Sequence, residues 1–187
     1  MSFHNRMNVG IISDTHDDIA TTNLAIDIFE EKNVKAVIHA GDIISPPIIT
    51  EFKRLTDKGV EFFGILGNND GEKNGLKDAF KFINGKFLGD VGKIELAGLK
   101  FGIYHGMDLR KKEKMIKSGK FDVFIYGHSH TRDPKDNNLN CVGKTIVFNP
   151  GNAHREEKLH YLDKPYFQEP TIIIFDTDSK GFKFFNL

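Results

Sequence analysis

Five times along this chain a short apolar run stops abruptly on Asp, Asn or His. The runs are Ile11-Ile12-Ser13-Asp14-Thr15-His16, Val37-Ile38-His39-Ala40-Gly41-Asp42, Ile65-Leu66-Gly67-Asn68-Asn69-Asp70, Gly102-Ile103-Tyr104-His105-Gly106 and Phe124-Ile125-Tyr126-Gly127-His128-Ser129-His130. Apolar runs of this length read as buried strands, so the polar residues that end them sit at strand tips, where side chains can be rigid and exposed together. One Asp or His after a strand is most often a cap or a turn residue. Five such ends in one chain point instead to a shared site that can bind a metal.

The first half alternates strand-like and helix-like segments, the pattern of a sheet with crossover helices. Met7 to Ser13, Val34 to Ala40 and Val60 to Leu66 read as strands. Between them a helix is predicted from Asp17 to Asn33, and another is opened by Ser45-Pro46-Pro47 and runs to Gly59. A short helix around Leu76, Ala79, Phe80 and Ile83 closes at Gly85. Phe87 to Leu96 and Leu99 to Tyr104, turning at Ala97-Gly98, are predicted as an antiparallel pair, followed by a basic helix from Leu109 to Ser118. Phe121 to Tyr126 is a further buried strand, and Thr145 to Phe148, Thr171 to Phe175 and Phe182 to Phe185 complete a second strand set. Arg132 to Val142 reads as a loop or an irregular hairpin. Two packed sheets with helices outside are expected.

With 187 residues the chain has the length of one domain, expected over 1–187. Lys plus Arg and Asp plus Glu each number 26, so no net field draws in a polyanion, and nucleic acid is not an expected partner. The single cysteine, Cys141, cannot form an internal disulfide, and the N-terminal residues lack an apolar stretch of signal length; a cytoplasmic location is expected. No apolar run is long enough to span a bilayer.

The candidate ligands Asp14, His16, Asp42, Asn68, His105, His128 and His130 offer only oxygen and nitrogen. Imidazole argues against Mg²⁺ or Ca²⁺ alone and the lack of thiolate against a structural zinc knot, which leaves Mn²⁺, Fe, Co²⁺, Ni²⁺ or Zn²⁺. Seven donors exceed what one ion usually takes from a protein. Two ions sharing a carboxylate would use them all and leave positions for water and substrate. His154-Arg155-Glu156-Glu157-Lys158-Leu159-His160 lacks the spacing of a zinc-peptidase helix, and no Gly-rich phosphate loop follows the first strand.

The ordered series Asp-Thr-His, Gly-Asp, Gly-Asn-Asn-Asp, His-Gly and Gly-His-Ser-His resembles the calcineurin-like metallophosphoesterases, in particular the small prokaryotic phosphodiesterases of the YfcE type, from about Val9 to Asn152. The resemblance implies a four-layer α/β/β/α sandwich. It also implies two divalent ions, with manganese favoured: Asp14, His16, Asp42 and His130 on the first, Asp42, Asn68, His105 and His128 on the second, and Asp42 bridging. The implied reaction is in-line attack on a small phosphate ester, most readily a phosphodiester, by a metal-bound hydroxide. Asp42 and Asn69 are the residues on which catalysis is expected to turn. Larger relatives carry a proton-donating His where this chain has Asn69, whose amide can hydrogen-bond a phosphate oxygen but cannot act as a general acid. Asp70 is expected to buttress the turn or a histidine behind the ligands rather than to do chemistry, and His39 to be packed inside or to support a ligand from behind.

Asn149-Pro150-Gly151-Asn152 departs from relatives that have Ser after the Gly, and the polar segment beyond it is expected to fold over the site, with His154 and Arg155 as substrate contacts alongside Asn69 and with His160 or Tyr161 as further candidates. The rival readings are a non-catalytic interaction scaffold of the same fold, as in the retromer subunit, and a nuclease. A homo-oligomer is compatible with the sequence.

Overall fold

The computed structural model describes residues 6–136, 138–155 and 169–187. Strand β1 (Asn8–Ile12) leads into helix α1 (Ile19–Glu31), β2 (Ala36–His39), α2 (Pro46–Glu51), α3 (Lys53–Thr56), β3 (Glu61–Gly64), α4 (Lys73–Phe82) and β4 (Lys86–Phe87). The chain then crosses to β5 (Val91–Leu96), β6 (Leu99–Tyr104), α5 (Leu109–Ile116), β7 (Val123–Ile125), β8 (Cys141–Val142) and β9 (Thr145–Phe148), before β10 (Thr171–Asp176) and β11 (Phe182–Asn186). One sheet runs β11-β10-β1-β2-β3-β4 and the other β5-β6-β7-β9-β8. In the first, β1 to β4 are parallel and β10 and β11 antiparallel; in the second, β6, β7 and β9 are parallel.

Strand alternation sorts the apolar side chains into three cores, and these define four layers. Val9, Ile11, Ile38, Phe63, Phe101, Ile103, Val123, Ile125, Phe148 and Phe175 fill the space between the sheets. Ile12, Val37, Phe62 and Ile172 face the other way and pack with Phe29 of α1, Ile49 of α2 and Phe80 of α4. Tyr104, Phe124 and Val147 pack under Ile116 of α5. The expected α/β/β/α sandwich is observed.

Several expectations shift. β10 and β11 do not join the second strand set: β10 pairs antiparallel with β1, from Asn8 opposite Asp176 to Ile11 opposite Ile173. Its alternation serves either sheet equally well, and the open side of β1 is what captures it. Phe87 belongs to β4 beside β3, so the predicted hairpin strand begins only at Val91. The helix expected up to Gly59 is two short helices that meet at Phe52. Helix α1 is capped by Asp18, whose carboxylate accepts from Thr21 N at 2.8 Å, so Asp17 lies outside it. Ser45 does not cap α2; its hydroxyl donates to Asp17 Oδ1 at 2.5 Å and links the two loops. Arg132 to Val142 is an irregular hairpin closed by the bridge between Asp133 and Asn149 and by β8 against β9. His160 and Tyr161 lie outside the described residues.

Aromatic rings lie against the first sheet where glycine leaves room. A Cβ at Gly64 would stand 2.3 Å from Cζ of Phe80, whose ring is held between those of Phe62 and Phe87. Gly64→Ala should therefore overpack this core and cost ~1–3 kcal/mol of unfolding free energy, measured by urea denaturation. An unchanged midpoint would contradict this packing.

Candidate metal centre

All five polar runs meet at the rim where the parallel strands of both sheets end. After β1 the chain turns with Asp14 at φ 55°, His16 at 42° and Asp17 at 61°, and is held by bonds from Asp14 N to Gly41 O at 3.0 Å and from His16 N to Asp42 O at 3.2 Å. Asp42 (54°), His128 (69°) and His130 (54°) share this left-handed backbone, so five of the seven candidate ligands do. Asp and His tolerate that region better than most residues, and strain of this kind collects where side chains are aimed at a site.

Asp70 keeps the two loops of the first sheet in place. Its carboxylate accepts from Asp42 N at 3.1 Å, Ile43 N at 2.7 Å, Ile44 N at 2.7 Å and Gly67 N at 2.7 Å. The loop after β2 and the loop after β3 thus share one buried anchor, which is the turn-buttressing role expected of Asp70. Gly67 is required by proximity: a Cβ there would lie 2.1 Å from Asp42 Oδ1.

From the second sheet come His105, His128 and His130. Nδ1 of His105 donates to Ala40 O at 2.8 Å, which directs the lone pair of Nε2 toward the carboxylates. His128 N–H points at Asp14, 3.2 Å from Oδ1 and 3.1 Å from Oδ2. Gly127 permits that approach, since a Cβ would fall 2.0 Å from Ser13 Oγ. Asn149, which sequence reasoning treated only as the start of a motif, locks the turn by donating to Gly127 O and Ser129 Oγ, each at 3.0 Å.

Two groups of donors result, Asp14 with His16 and His130, and Asp14 with Asp42 and His105. Nε2 of His16 lies 3.6 Å from Asp42 Oδ2 and 3.9 Å from Asp14 Oδ1; Nε2 of His105 lies 3.3 Å and 3.8 Å from the same atoms; Nε2 of His130 is 3.5 Å from Asp14 Oδ1. Asp14 and Asp42 are both buried. The Nε2 atoms of His16 and His105 are buried without a hydrogen-bond partner, the nearest carboxylate oxygen of Asp42 standing 3.6 Å and 3.3 Å away. Buried polar atoms are normally satisfied. Unpaired imidazole nitrogens converging on two buried carboxylates are what a divalent cation of the Mn–Zn series would complete.

The electrostatics agree. Burial opposes ionisation of Asp42, yet His105 beside it and the two N–H groups of Asn69 outweigh burial and hold its carboxyl below the usual range. Burial likewise opposes protonation of His105, but Asp42 and Asp14 win and raise its pKa. Burial lowers His16, helped by His154, and lowers His128, helped by His105. His39 is fully buried, accepts from Gly41 N at Nδ1 and meets Thr15 Oγ1 at 3.1 Å through Nε2; burial drives its pKa to about 3. It is a neutral, packed residue, as expected.

His154 is brought to the site: its Nδ1 donates to Asp14 O at 2.8 Å and its ring lies 4.5 Å from that of His16 and 5.1 Å from that of His130. Arg155 is exposed, and its backbone N–H donates to Asp18 Oδ2 at 3.0 Å. Asn68 and His128 are exposed at the rim, the latter with its ring 5.3 Å from His105. Asn69 lies directly on Asp42, with its backbone N 2.9 Å from Oδ1 and its Nδ2 2.7 Å from Oδ2.

Residues 7–180 match the model of the Calcineurin-like phosphoesterase superfamily domain. Phosphodiesterase MJ0936 of Methanocaldococcus jannaschii is 40% identical over 178 residues, spanning 95% of this chain and 97% of that protein. A solved archaeal phosphodiesterase is similar with a TM-score of 0.79 and 38% identity, over 97% of this chain and 100% of its own. The YfcE phosphoesterase of E. coli has a TM-score of 0.61 at 16% identity, over 92% and 90% of the two chains, a likeness of fold.

Two outcomes follow from the supports of the site. Asp70→Ala should cost more than ~2 kcal/mol by denaturant unfolding, since several buried N–H groups lose their acceptor; a cost under ~0.5 kcal/mol would contradict the anchor. His39 takes up a proton in the unfolded chain near its ordinary value of 6.5 but in the folded chain only near 3. Its contribution to stability is therefore complete above pH ~6.5 and is lost as pH falls toward ~3. The fall in thermal midpoint across that window should be shallower in His39→Gln than in the wild type.

Proposed function

Because the chain belongs to the calcineurin-like phosphoesterase superfamily and is, as such, a metal-dependent phosphodiesterase, we propose that its seven rim donors hold two divalent ions and act on a small phosphodiester. The observation that carries this reading is the convergence of the unpaired Nε2 atoms of His16 and His105 on the buried Asp14 and Asp42. Asp14, His16, Asp42 and His130 would hold one ion, and Asp42, Asn68, His105 and His128 the other. Oδ2 of Asp42, within 3.6 Å of His16 and 3.3 Å of His105, is suited to bridge them. Oxygen donors from Asp14, Asp42 and Asn68 beside imidazoles favour manganese. When bound, the pair supplies an activated water and positive charge for the phosphoryl oxygens.

The chain's own residues orient that chemistry. Asn69 has two amide hydrogens, of which one is used on Asp42, so the other can reach a phosphoryl oxygen. His154 over the His16 and His130 rings, and Arg155 beyond it, would flank the substrate on the opposite side. In this reading residues 1–187 work as one phosphoesterase domain in the cytoplasm on a small ester rather than on nucleic acid. The balance of 26 basic and 26 acidic residues supports that choice of substrate.

Metal content and hydrolysis of an activated phosphodiester with added Mn²⁺ test this directly. Asp42→Asn should lose both ions and ~10²-fold or more in rate, whereas Asn68→Ala should lose mainly one ion; full activity in Asp42→Asn would sink the bridging role. Leaving-group dependence tests Asn69. Asn69→His loses the amide on Asp42 but gains a proton donor, so the ratio of alkyl-ester to nitrophenyl-ester rates should rise by ~10-fold or more, and an unchanged ratio would refute the assignment.

A further inference from the structure

The second sheet has five strands but only one helix, α5, on its outer face among the described residues. Strands spaced ~4.8 Å apart make a sheet roughly twice the width of one helix. The face beside the edge strand β5 is accordingly left as a groove of about 750 Å³, lined by Leu88, Val91, Met115 and Phe121 and by Lys93, Lys111, Lys114 and Lys120.

The groove differs from an ordinary uncovered sheet face in its charge. Lys111, Lys114, Met115 and Ser118 stand at i, i+3, i+4 and i+7 on α5 and just past its end, one stripe of the helix, and that stripe overlooks the groove. The acid on this helix, Glu113, does not line the groove and is paired with Lys117 at 3.0 Å. Ser118 is held on Met115 O at 2.6 Å, which fixes the end of the stripe. Among the described residues no acidic side chain lines this groove, Glu95 lining only the adjoining cleft that shares Lys93, Lys120 and Phe121 with it, and Lys111 lies 4.5 Å over the ring of Tyr104, covering the apolar layer beneath. An apolar floor bounded by several ammonium groups suits one kind of small molecule: an apolar body carrying a multiply charged anionic head. Lysines are point charges without the planar fork of arginine, so they favour a compact dianion over a precisely oriented carboxylate. The volume lies in the range of roughly 300–1,000 Å³ that such ligands occupy.

We propose that this groove is a second binding site, separate from the metal centre, for an amphipathic phosphate monoester. The apolar chain lies on Leu88, Val91, Met115 and Phe121, and the phosphate sits among Lys93, Lys111, Lys114 and Lys120.

Dodecyl phosphate below its micellar concentration is the probe, titrated calorimetrically into metal-loaded protein with excess inorganic phosphate occupying the metal centre. One site should remain, with affinity at least tenfold above that for dodecanol, and inorganic phosphate should not displace it. Lys93→Glu/Lys114→Glu should weaken binding at least tenfold while hydrolysing the activated diester at the wild-type rate. Lys93→Gln/Lys114→Gln, a milder change, should show the same direction if the first variant folds poorly. Asp42→Asn should do the reverse, losing hydrolysis and keeping the site. No binding, binding unaffected by either lysine pair, or binding only to anionic vesicles and not to monomeric dodecyl phosphate would overturn the proposal.

Discussion

One carboxylate, Asp70, receives the backbone of two loops at once, and the metal centre depends on it. Asp42, Ile43 and Ile44 follow β2 and Gly67 follows β3, so their N–H groups converge on Asp70 only if both strands end in register. Parallel pairing of β2 with β3 supplies that register, and the apolar alternation of Val37, Ile38, Phe62 and Phe63 between two cores holds it. Charge-assisted bonds to backbone N–H are among the stronger hydrogen bonds. Here they stand where no strand partner remains to satisfy those groups.

The same bonds explain how the rim tolerates its backbone. Ile44 has φ 80°, a costly conformation for a β-branched residue, and its N–H is one of those fixed on Asp70. Asp42 at 54° is fixed in the same way, while Asp14 at 55° is tied to Gly41 O and His16 at 42° to Asp42 O. Strain of order 1–3 kcal/mol per residue persists only where the surroundings over-determine it. The three interlayer cores provide that rigidity, and the left-handed turns reverse each chain so that its Asp or His points back across the strand ends.

The residues whose side chains gather at the rim were legible because their chemistry interrupts an apolar run. Asp14, Asp42, His105 and the His128/His130 pair stand out against the strands before them, and even the role of Asp70 could be inferred from its turn. Residues that act through the backbone were not. Asn149 reads as a loop residue until its amide is seen on Gly127 O and Ser129 Oγ, and Gly127 as a turn glycine until Ser13 is found against it. Strand placement escaped for another reason. The run Thr171-Ile172-Ile173-Ile174-Phe175 is apolar on both faces, so its pattern names a buried strand without naming its neighbour. Only the open side of β1 decides between the two sheets.

Burial and charge together indicate why the site needs a cation. Two carboxylates lie within the rim at 0% and 1% exposure, and Asp42 stays ionised against the cost of burial. Positive charge must come from somewhere close, and the two carboxylates that raise the pKa of His105 against the cost of burial favour a cation at that position. A divalent ion supplies more charge at shorter range and takes the lone pair that the proton would occupy. The direction of His105 Nε2 is already set by the bond from Nδ1 to Ala40 O, so an ion held there would meet a pre-aimed donor. Asn69 completes the balance. Its N–H groups on Asp42 stabilise the carboxylate before an ion is bound, without adding a charge that the ion would have to displace.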